Sequence, residues 1–429
     1  LILVVARTAR PANSVIASLI MAITLFYGYF RDQFFVNPAI NAFVRTYFWN
    51  KNNTFFILTV LAISWIIIRM INSRPDKSQV IAKYLTLFLT ILGCMDIAMF
   101  YHDQSTLKLL PTEDPGAVRL QGKKPDVYFI IFDSETSSKS VKRYWGYSND
   151  SIEQALTGRG FYVGRESRSN YNWTPYSIAS TLNMSYLADN SVGSLGEESP
   201  RTIDCGVLKI FAANGYSIHN LSFLDINGYP RLGSVAQYSI WLKTLFYFLY
   251  DRMSNYTYVA YRTMQMNLLN ATYDSMASVI ESPDGHPAFI YAHFFIPHTP
   301  TFVDETGREK TSGIMDAQDM KGYLGQVRYS YTVALRLVEK ILRASNGKAI
   351  IIIQGDHGYR FLEGAQKMDE QFDVFKAVYF PNRDYALFTD STTSFNTFRV
   401  VFNSQFGSNL PLLRDSSFNV LANALKRFR

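Results

Sequence analysis

An aspartate and a histidine stand side by side directly after an apolar run in the last quarter of the sequence. The run from Ala349 to Gln354 is rich in β-branched residues and predicts a buried strand, and Gly355-Asp356-His357-Gly358 follows it. Open α/β sheets bind their ligands at the carboxyl ends of strands. A carboxylate beside an imidazole at such an end is a ligand pair for a divalent metal. The alternative is that this pair only forms a turn.

A second apolar run ends in the same way. Residues 126–132 predict another buried strand, and Asp133-Ser134-Glu135-Thr136 follows it. If the two strands are neighbours, Asp133 converges with Asp356 and His357 at one edge of the sheet. That convergence favours a metal site over the alternative that Asp133 caps a helix. One histidine with carboxylates does not discriminate among Zn, Mn and Mg, so we predict one divalent ion of unresolved identity.

Two further segments carry candidate reactive groups. Thr174 precedes Pro175 and is predicted to be the N-cap of a helix, where the helix dipole favours an alkoxide and an incoming anion. The alternative is that Thr174 only caps the helix. His298 follows the predicted strand that begins at Phe289, and the prolines on either side of it stiffen its loop. It is a candidate for substrate binding or a packed surface histidine, and His293 within the strand is expected in the core or behind the metal ligands.

The segments after Asp126 alternate between helical and strand-like patterns. Helices are expected at 151–157 and 205–215, and a long amphipathic helix at 323–345 leads into the strand before Asp356. Strands are expected at 162–163 and 216–219. This alternation predicts an α/β domain with a mostly parallel sheet sandwiched by helices.

The amino-terminal quarter has the composition of a membrane anchor. Hydrophobic residues make up 48% of the 429, and three apolar runs crowd this region, at 12–30, 55–71 and 84–101. Each has about the length that spans hydrocarbon, roughly 20 residues. We therefore expect an α-helical transmembrane anchor at 1–103, truncated at its start, a linker at 104–125 and a catalytic domain at 126–429. Buried helices of a soluble domain are the alternative, and 241–261 is expected to be an amphipathic surface helix.

Basic residues set the expected topology and argue against one class of partner. Arg7 and Arg10 precede the first apolar run, and four more basic residues lie near or in the loop between the second and third, whereas the intervening loop has three. This distribution places the catalytic domain outside the cytoplasm. The net charge is +7, yet the sequence has no dense Lys/Arg block, so the charge indicates anionic lipid headgroups and not nucleic acid. Cys94 lies within the third apolar run, whereas Cys205 lies far away in the predicted catalytic domain, so no disulfide is predicted.

Asp133, Thr174, His298 and Asp356-His357 occur in an order that resembles the alkaline-phosphatase superfamily. The resemblance is to its sulfatase-like branch of membrane-anchored lipoteichoic-acid synthases and phosphoethanolamine transferases, and it covers the chain from Asp126 onward. It implies that Asp133, Asp356 and His357 bind the metal, that Thr174 is the nucleophile, and that His298 contacts the transferred phosphate. Many of these transferases have Glu in place of Asp133. The run Cys205-Gly206-Val207-Leu208-Lys209 does not match the formylglycine motif of arylsulfatases.

The same resemblance implies a metal-dependent transferase in the cytoplasmic (inner) membrane, with several spans and a catalytic domain facing the periplasm or the outside. The enzyme would move a phospho-headgroup from a phospholipid donor to a cell-envelope glycan or lipid acceptor through a phospho-threonine intermediate. Two alternatives stay open. One is a sulfatase-like hydrolase or phosphodiesterase that uses water, and the other is an inactive membrane protein that uses the domain for binding.

Overall fold

The chain divides into two compact units, residues 1–103 with 237–259, and residues 104–236 with 260–429. The computed structural model describes Arg69, Val80, Tyr84 and residues 118–187, 205–226, 228–232, 256–282, 285–310, 319–362, 369–420 and 426–428. The three predicted membrane segments therefore lie outside the described residues, apart from Arg69 and Tyr84. Among the helices that are described, none combines the length and hydropathy of a membrane span.

A six-stranded mixed sheet forms the centre of the second unit. In spatial order its strands are β2 (Tyr162–Gly164), β6 (Lys376–Tyr379), β5 (Ile350–Gly355), β1 (Val127–Phe132), β4 (Ala288–Phe294) and β3 (Ser217–Leu221). The four strands from β5 to β3 are parallel to one another. At the other edge β6 runs antiparallel to β5, and β2 runs antiparallel to β6. The expected α/β sheet is confirmed, with an antiparallel edge that makes it mixed. A two-stranded antiparallel pair, β7 (Ser417–Asn419) and β8 (Lys426–Phe428), lies outside the sheet.

Helices cover both faces of the sheet. They are α1 (Ser138–Trp145), α2 (Asp150–Gly158), α3 (Thr174–Asn183), α4 (Gly206–Ala213), α5 (Tyr256–Glu281), α6 (Met320–Ala344) and α7 (Asn396–Phe406). One apolar core joins the sheet to α3, α4 and α7, and a second joins its other face to α1, α2, α5 and α6.

The alternation of side chains along β1 explains why there are two cores. All six residues of β1 are buried. Phe129 and Ile131 belong to the first core, while Tyr128, Ile130 and Phe132 belong to the second, because successive side chains of a strand point to opposite faces. Burial of each large apolar side chain stabilises the fold by about 1.5–3 kcal/mol, so a continuous apolar run is favourable only in a strand covered on both sides.

The register of the parallel strands places the polar residues at their ends. Phe132 of β1 is paired with Gly355 of β5 and with Phe294 of β4. Because parallel strands end on the same side, Asp133 and Asp356 emerge next to each other at the carboxyl edge. His293 is paired with Ile131, two residues before Asp133, and lies at the same end of the sheet.

Most of the helices and strands predicted from the sequence are confirmed, with boundaries shifted by a few residues. The helices expected at 151–157, 205–215 and 323–345 are α2, α4 and α6, and the strands expected at 162–163 and 216–219 are β2 and β3. Of the surface helix expected at 241–261, residues 241–255 lie outside the described part, and α5 begins at Tyr256.

A matched pair of glycine substitutions tests the close approach of β5 to the loop after β1. A Cβ on Gly355 would lie 2.2 Å from the carbonyl oxygen of Glu135, which accepts a hydrogen bond from Phe375 N. We expect Gly355→Ala to destabilise the protein by about 1–3 kcal/mol or more, as overpacking does. In α6 a Cβ on Gly325 meets only ordinary contacts at 3.5 Å, so Gly325→Ala should stabilise by about 0.5–1 kcal/mol.

Thermal melting of the purified variants checks this pair. A Gly355→Ala protein with the melting temperature of the wild type would show that β5 and the loop after β1 are not packed as described.

Candidate active site

Asp133, Asp356 and His293 form a buried cluster at the carboxyl edge of the sheet. One ligand atom from each of the three lies within 4.8 Å of the others. Asp133 Oδ1, Asp356 Oδ2 and His293 Nε2 are inaccessible to solvent and make no hydrogen bond. Buried polar atoms are nearly always paired, so three unpaired ones converging on one point indicate a site for a group that accepts lone pairs.

Backbone amides fix the orientation of the two carboxylates. Asp356 Oδ1 accepts hydrogen bonds from the amides of Ser134 and His357, both at 2.9 Å. Ser134 can point its amide there because it adopts a left-handed conformation with φ 65°. The second carboxylate oxygen of Asp356 is thereby left for another partner. Asp133 does not cap a helix, because Ser137 is the cap of α1 and accepts from Ser140 N.

His357 joins this cluster through its Nε2 atom. Its Nδ1 lies 2.8 Å from the carbonyl oxygen of Gly358, so Nδ1 carries a proton and Nε2 presents a lone pair. Nε2 lies 3.6 Å from Asp133 Oδ1 and 3.7 Å from Asp356 Oδ2. Burial, aided by the charge of Arg360, holds the pKa of His357 well below its usual range, which keeps the imidazole neutral.

The hydroxyl of Thr174 faces the cluster formed by Asp133, Asp356, His293 and His357. Thr174 is the first residue of α3, with Pro175 second and Trp173 at the cap position, so the predicted cap is displaced by one residue. Thr174 Oγ1 lies 3.3 Å from His357 Nε2, and its hydroxyl lowers the pKa of the Asp133 carboxyl. The helix-capping alternative for Thr174 is therefore wrong, because its side chain is directed at the polar cluster and not at the helix backbone.

The hydroxyls of Ser177 and Ser180 on α3 are hydrogen-bonded elsewhere. Ser177 Oγ donates to the carbonyl oxygen of Asp356 at 2.5 Å, and Ser180 Oγ donates to the carbonyl oxygen of Ser185 at 2.6 Å. Thr181 is fully buried within the helix. Of the four hydroxyls of α3 named here, that of Thr174 lies against the acidic cluster, by which we mean Asp133, Asp356 and His293.

His298 lies at the border of the site and not within the acidic cluster. Its ring centroid is 6.4 Å from that of His357, and its Nε2 is 3.0 Å from Arg360 Nη2. Burial lowers the pKa of His298 well below its usual value, and the charge of Arg360 lowers it further. The structure thus brings all five residues predicted from the sequence to one edge of the sheet.

Two parts of the site were not predicted as such from the sequence. His293 was expected in the core or behind the ligands, and its Nε2 instead lies 3.6 Å from Asp133 Oδ2, with Nδ1 2.7 Å from the Tyr291 hydroxyl. A histidine near the end of an otherwise apolar strand was the available signal. Arg360 and Trp173 were not singled out at all, although Arg360 follows His357 by three residues.

The carboxylates carry an electrostatic penalty. The pKa of Asp133 is raised well above its usual value, first by burial and then by the charge of Asp356, while Arg360 and the Thr174 hydroxyl act in the opposite direction. Burial also raises the pKa of the nearby Glu135 to about 8, against a hydrogen bond from Ser330. Burial lowers the pKa of His293 to about 4, so this imidazole is neutral at ordinary pH.

These donors suit a divalent cation. Two carboxylates with unpaired oxygens and neutral imidazole nitrogens are the groups that bind Zn²⁺, Mn²⁺ or Mg²⁺, and a cation would offset the repulsion between the aspartates. Asp133, Asp356 and His357 remain the proposed ligands, and the position of His293 Nε2 makes it a further candidate.

The sulfatase family model matches residues 125–396. No curated protein matches the sequence. Three similar solved structures are the periplasmic domain of EptC from Escherichia coli in complex with Zn, the integral membrane lipooligosaccharide phosphoethanolamine transferase A from Neisseria meningitidis, and a 2-O GAG sulfatase.

These structural similarities are remote. Each of the three is 12% identical to this chain. The TM-scores are 0.44, 0.43 and 0.43 in the same order. The aligned parts cover 75%, 82% and 67% of this chain, and 96%, 68% and 72% of the respective solved chains.

Asp356→Asn tests the metal site with little change of shape. The amide oxygen can still accept from Ser134 and His357, while the unpaired charged oxygen is replaced. We expect the metal affinity of the variant to be at least about tenfold lower than that of the wild type. Without metal, its melting temperature should be no lower than that of the wild type, because the repulsion between two carboxylates has been removed.

Elemental analysis by mass spectrometry and melting curves provide the two measurements. Asp390→Asn, which alters a carboxylate that accepts from the exposed Tyr162 hydroxyl, is the matched control and should retain full metal content. His293→Gln and His357→Gln, compared in the same assay, identify which imidazole binds the ion. Full metal content in Asp356→Asn would contradict the assignment.

Proposed function

The chain belongs to the sulfatase family, and we propose that it is a metal-dependent, membrane-bound transferase that moves a phospho-headgroup from a phospholipid to a cell-envelope glycan or lipid. Membership of this family makes the chain an enzyme of the phosphotransferase and sulfatase type, so the alternative of an inactive binding protein is set aside. The transferred group, the donor and the acceptor belong to the proposal.

The position of the Thr174 hydroxyl supports this proposal most directly. It lies at the amino-terminal end of α3, 3.3 Å from His357 Nε2, and it lowers the pKa of the Asp133 carboxyl. The positive end of a helix dipole stabilises both an alkoxide and an anionic substrate. A hydroxyl held there beside buried carboxylates has the surroundings of an activated nucleophile.

The first half of the reaction transfers the phospho-headgroup to the enzyme. Thr174 Oγ1 forms a bond to phosphorus, and the bond from phosphorus to the lipid oxygen breaks. The hydroxyl proton leaves Thr174 and ends on the released lipid alcohol, with diacylglycerol as the product when the donor is a glycerophospholipid. A phosphodiester on Thr174 remains, which keeps the headgroup attached.

The second half releases the group to an acceptor. A hydroxyl of a glycan or lipid attacks phosphorus on the face opposite Thr174, and the acceptor proton returns to Thr174 as the phosphorus–threonine bond breaks. If water is the acceptor, the same cycle is a hydrolysis, which is the alternative function. Both share the threonine intermediate, and the products distinguish them.

Asp133, Asp356 and His357, with His293 beside them, are the residues that would hold the divalent ion. Bound there, such an ion would supply a Lewis acid that neutralises charge on the transferred group and favours ionisation of the nucleophile. The side chains of the site are buried, and positioning and electrostatic stabilisation provide most of the catalysis of phosphoryl transfer.

Formylglycine-dependent sulfate hydrolysis is the less favoured chemistry. Cys205, which begins the run compared with the formylglycine motif, is buried at the start of α4 and packs in the first apolar core. The site has a threonine where such an enzyme would need a modified cysteine or serine. The sulfatase fold is therefore proposed to serve a threonine nucleophile.

The proposed location is the cytoplasmic membrane, with the catalytic domain on the outer side. The three apolar segments of the sequence and the distribution of basic residues between them support it. An anchor would keep the site close to phospholipid donors, and the expected partners are those lipids and a surface glycan or lipid.

Replacing Thr174 tests the covalent step. Thr174→Ala should lower turnover by at least about a thousandfold, because the bond-forming oxygen is gone, and should leave the melting temperature nearly unchanged. The assay uses vesicles of isotopically labelled phosphatidylethanolamine and phosphatidylglycerol, followed by mass analysis of lipid products and of the intact protein.

The wild type should show a headgroup phosphate adduct and the Ala variant none. Thr174→Ser, which keeps the hydroxyl, and Ser177→Ala, which removes a hydroxyl bonded to a carbonyl, are the controls and should retain the adduct. An active Thr174→Ala enzyme, or an adduct mapped to Ser177, would show that another group is the nucleophile.

The membrane topology gives a separate prediction. Fusions made after Pro125 should show alkaline phosphatase activity and no fluorescence from green fluorescent protein, because the former folds outside and the latter inside the cytoplasm. Fusions after Ser73, in the loop between the second and third apolar runs, are the control and should give the opposite pattern. A fluorescent and phosphatase-negative Pro125 fusion would reverse the orientation.

A further inference from the structure

Arg360 is a cationic side chain at the border of the site. Its guanidinium carbon lies 4.3 Å from the centre of the Trp173 ring, and its Nη2 lies 3.0 Å from His298 Nε2. Trp173 directly precedes Thr174, so the guanidinium stacks on the residue adjacent to the proposed nucleophile. A guanidinium stacked on an indole is held in a fixed plane at small cost in conformational entropy.

The bond between Arg360 and His298 has a defined direction. Arginine can only donate, so His298 Nε2 must accept with its lone pair, and the ring proton lies on Nδ1. His298 Nε2 is thus occupied by the arginine and is not free to donate to a substrate oxygen. Gln326 Nε2 in turn donates to the carbonyl oxygen of His298 at 3.0 Å, which fixes the loop that carries this histidine.

We propose that Arg360 is the side chain that binds the anionic oxygens of the transferred group, and that His298 is a positioning residue which aims the guanidinium. This proposal rests on the proposed function and assigns the anion contact of the same site to a residue other than His298. The ligand is a tetrahedral oxyanion, a phosphoryl or sulfuryl group, whose oxygens match the planar fork of an arginine.

The charge of Arg360 reaches the other groups of the site. It opposes the rise in the pKa of Asp133 and lowers the pKa of both His298 and His357. A cation that acts on the acidic cluster from the side of Trp173 is well placed for an anion that approaches Thr174.

Gln371 and Gly358 help to fix the segment that carries Arg360. Gly358 N donates to the carbonyl oxygen of Gln371 at 2.7 Å, and Gln371 Nε2 donates to that of Arg360 at 3.4 Å. The Gln371 side chain also accepts from Asn172 Nδ2 at 2.8 Å, one residue before Trp173. The stacked pair is therefore supported from both of its backbone segments by one hydrogen-bond network.

The test compares four variants of the full-length, metal-loaded protein. Arg360→Gln removes the charge, Arg360→Lys keeps the charge without the fork, His298→Gln keeps an acceptor near the position of Nε2, and His298→Ala removes it. Arg143→Gln is the control, because Arg143 pairs with Glu370 outside the acidic cluster. Binding of inorganic phosphate is measured by calorimetry, and turnover with bis(p-nitrophenyl) phosphate gives kcat and KM.

Arg360→Gln should weaken phosphate binding and lower kcat/KM by about 10- to 100-fold, the range for losing a hydrogen bond to a charged group, with unchanged metal content. Arg360→Lys should recover only part of the loss. His298→Gln should stay within about threefold of the wild type, and His298→Ala should fall between it and Arg360→Gln. Arg143→Gln should match the wild type.

Two results would overturn the proposal. One is an Arg360→Gln protein that binds phosphate as the wild type does. The other is a His298→Gln protein as impaired as His298→Ala, which would return the anion contact to the histidine. Phosphate binding does not require turnover, so a wild type that binds phosphate through Arg360 but cleaves no ester would contradict the proposed function alone.

Discussion

Two aspartates buried side by side at neighbouring strand ends set the central constraint on this structure. Like charges in a poorly solvated place repel, and the pKa of Asp133 is raised by burial and by Asp356. Such an arrangement costs stability in the absence of a compensating cation. Such a pair of charges is stable when a cation binds between them. The unpaired oxygens of both aspartates therefore indicate a site for a metal ion.

The surrounding backbone serves to keep these carboxylates in place. Parallel pairing of β1 with β5 brings the two strand ends to one level, and the left-handed Ser134 turns its amide toward Asp356. Gly355 is required because any side chain would collide with the carbonyl oxygen of Glu135. The helix that begins at Thr174 then delivers a hydroxyl and the positive end of a dipole to the same point.

The sequence was sufficient to predict the parallel core and the polar residues at the ends of its strands. Long apolar runs such as those before Asp133 and Asp356 have few alternatives to a buried strand, and the carboxyl ends of parallel strands share one edge of the sheet. The antiparallel strand β6 was not predicted, since Lys376–Tyr379 is short and begins with a buried lysine that donates to Thr392 and Thr397. Short segments of this kind are specified by tertiary contacts and not by local pattern.

Side-chain contacts across loops were also beyond the reach of the sequence. The stacking of Arg360 on Trp173 joins residues far apart in the chain, and neither position has a periodic signal. The pairing of Arg360 with His298 changes the interpretation of that histidine, because an acceptor occupied by arginine cannot also be a donor to the substrate. The sequence predicted the residues that lie together at this edge of the sheet, and the structure added His293, Arg360 and Trp173 beside them.

A crystal structure of the metal-loaded protein with anomalous diffraction collected at the absorption edge of the bound metal tests the central claim most directly. We predict a single strong anomalous peak within about 2.0–2.2 Å of carboxylate oxygens from both Asp133 and Asp356, with an imidazole nitrogen in the same sphere and the Thr174 hydroxyl beside it. A peak that contacts neither aspartate, or an acidic cluster that stays free of metal in protein saturated with the ion, would contradict the account.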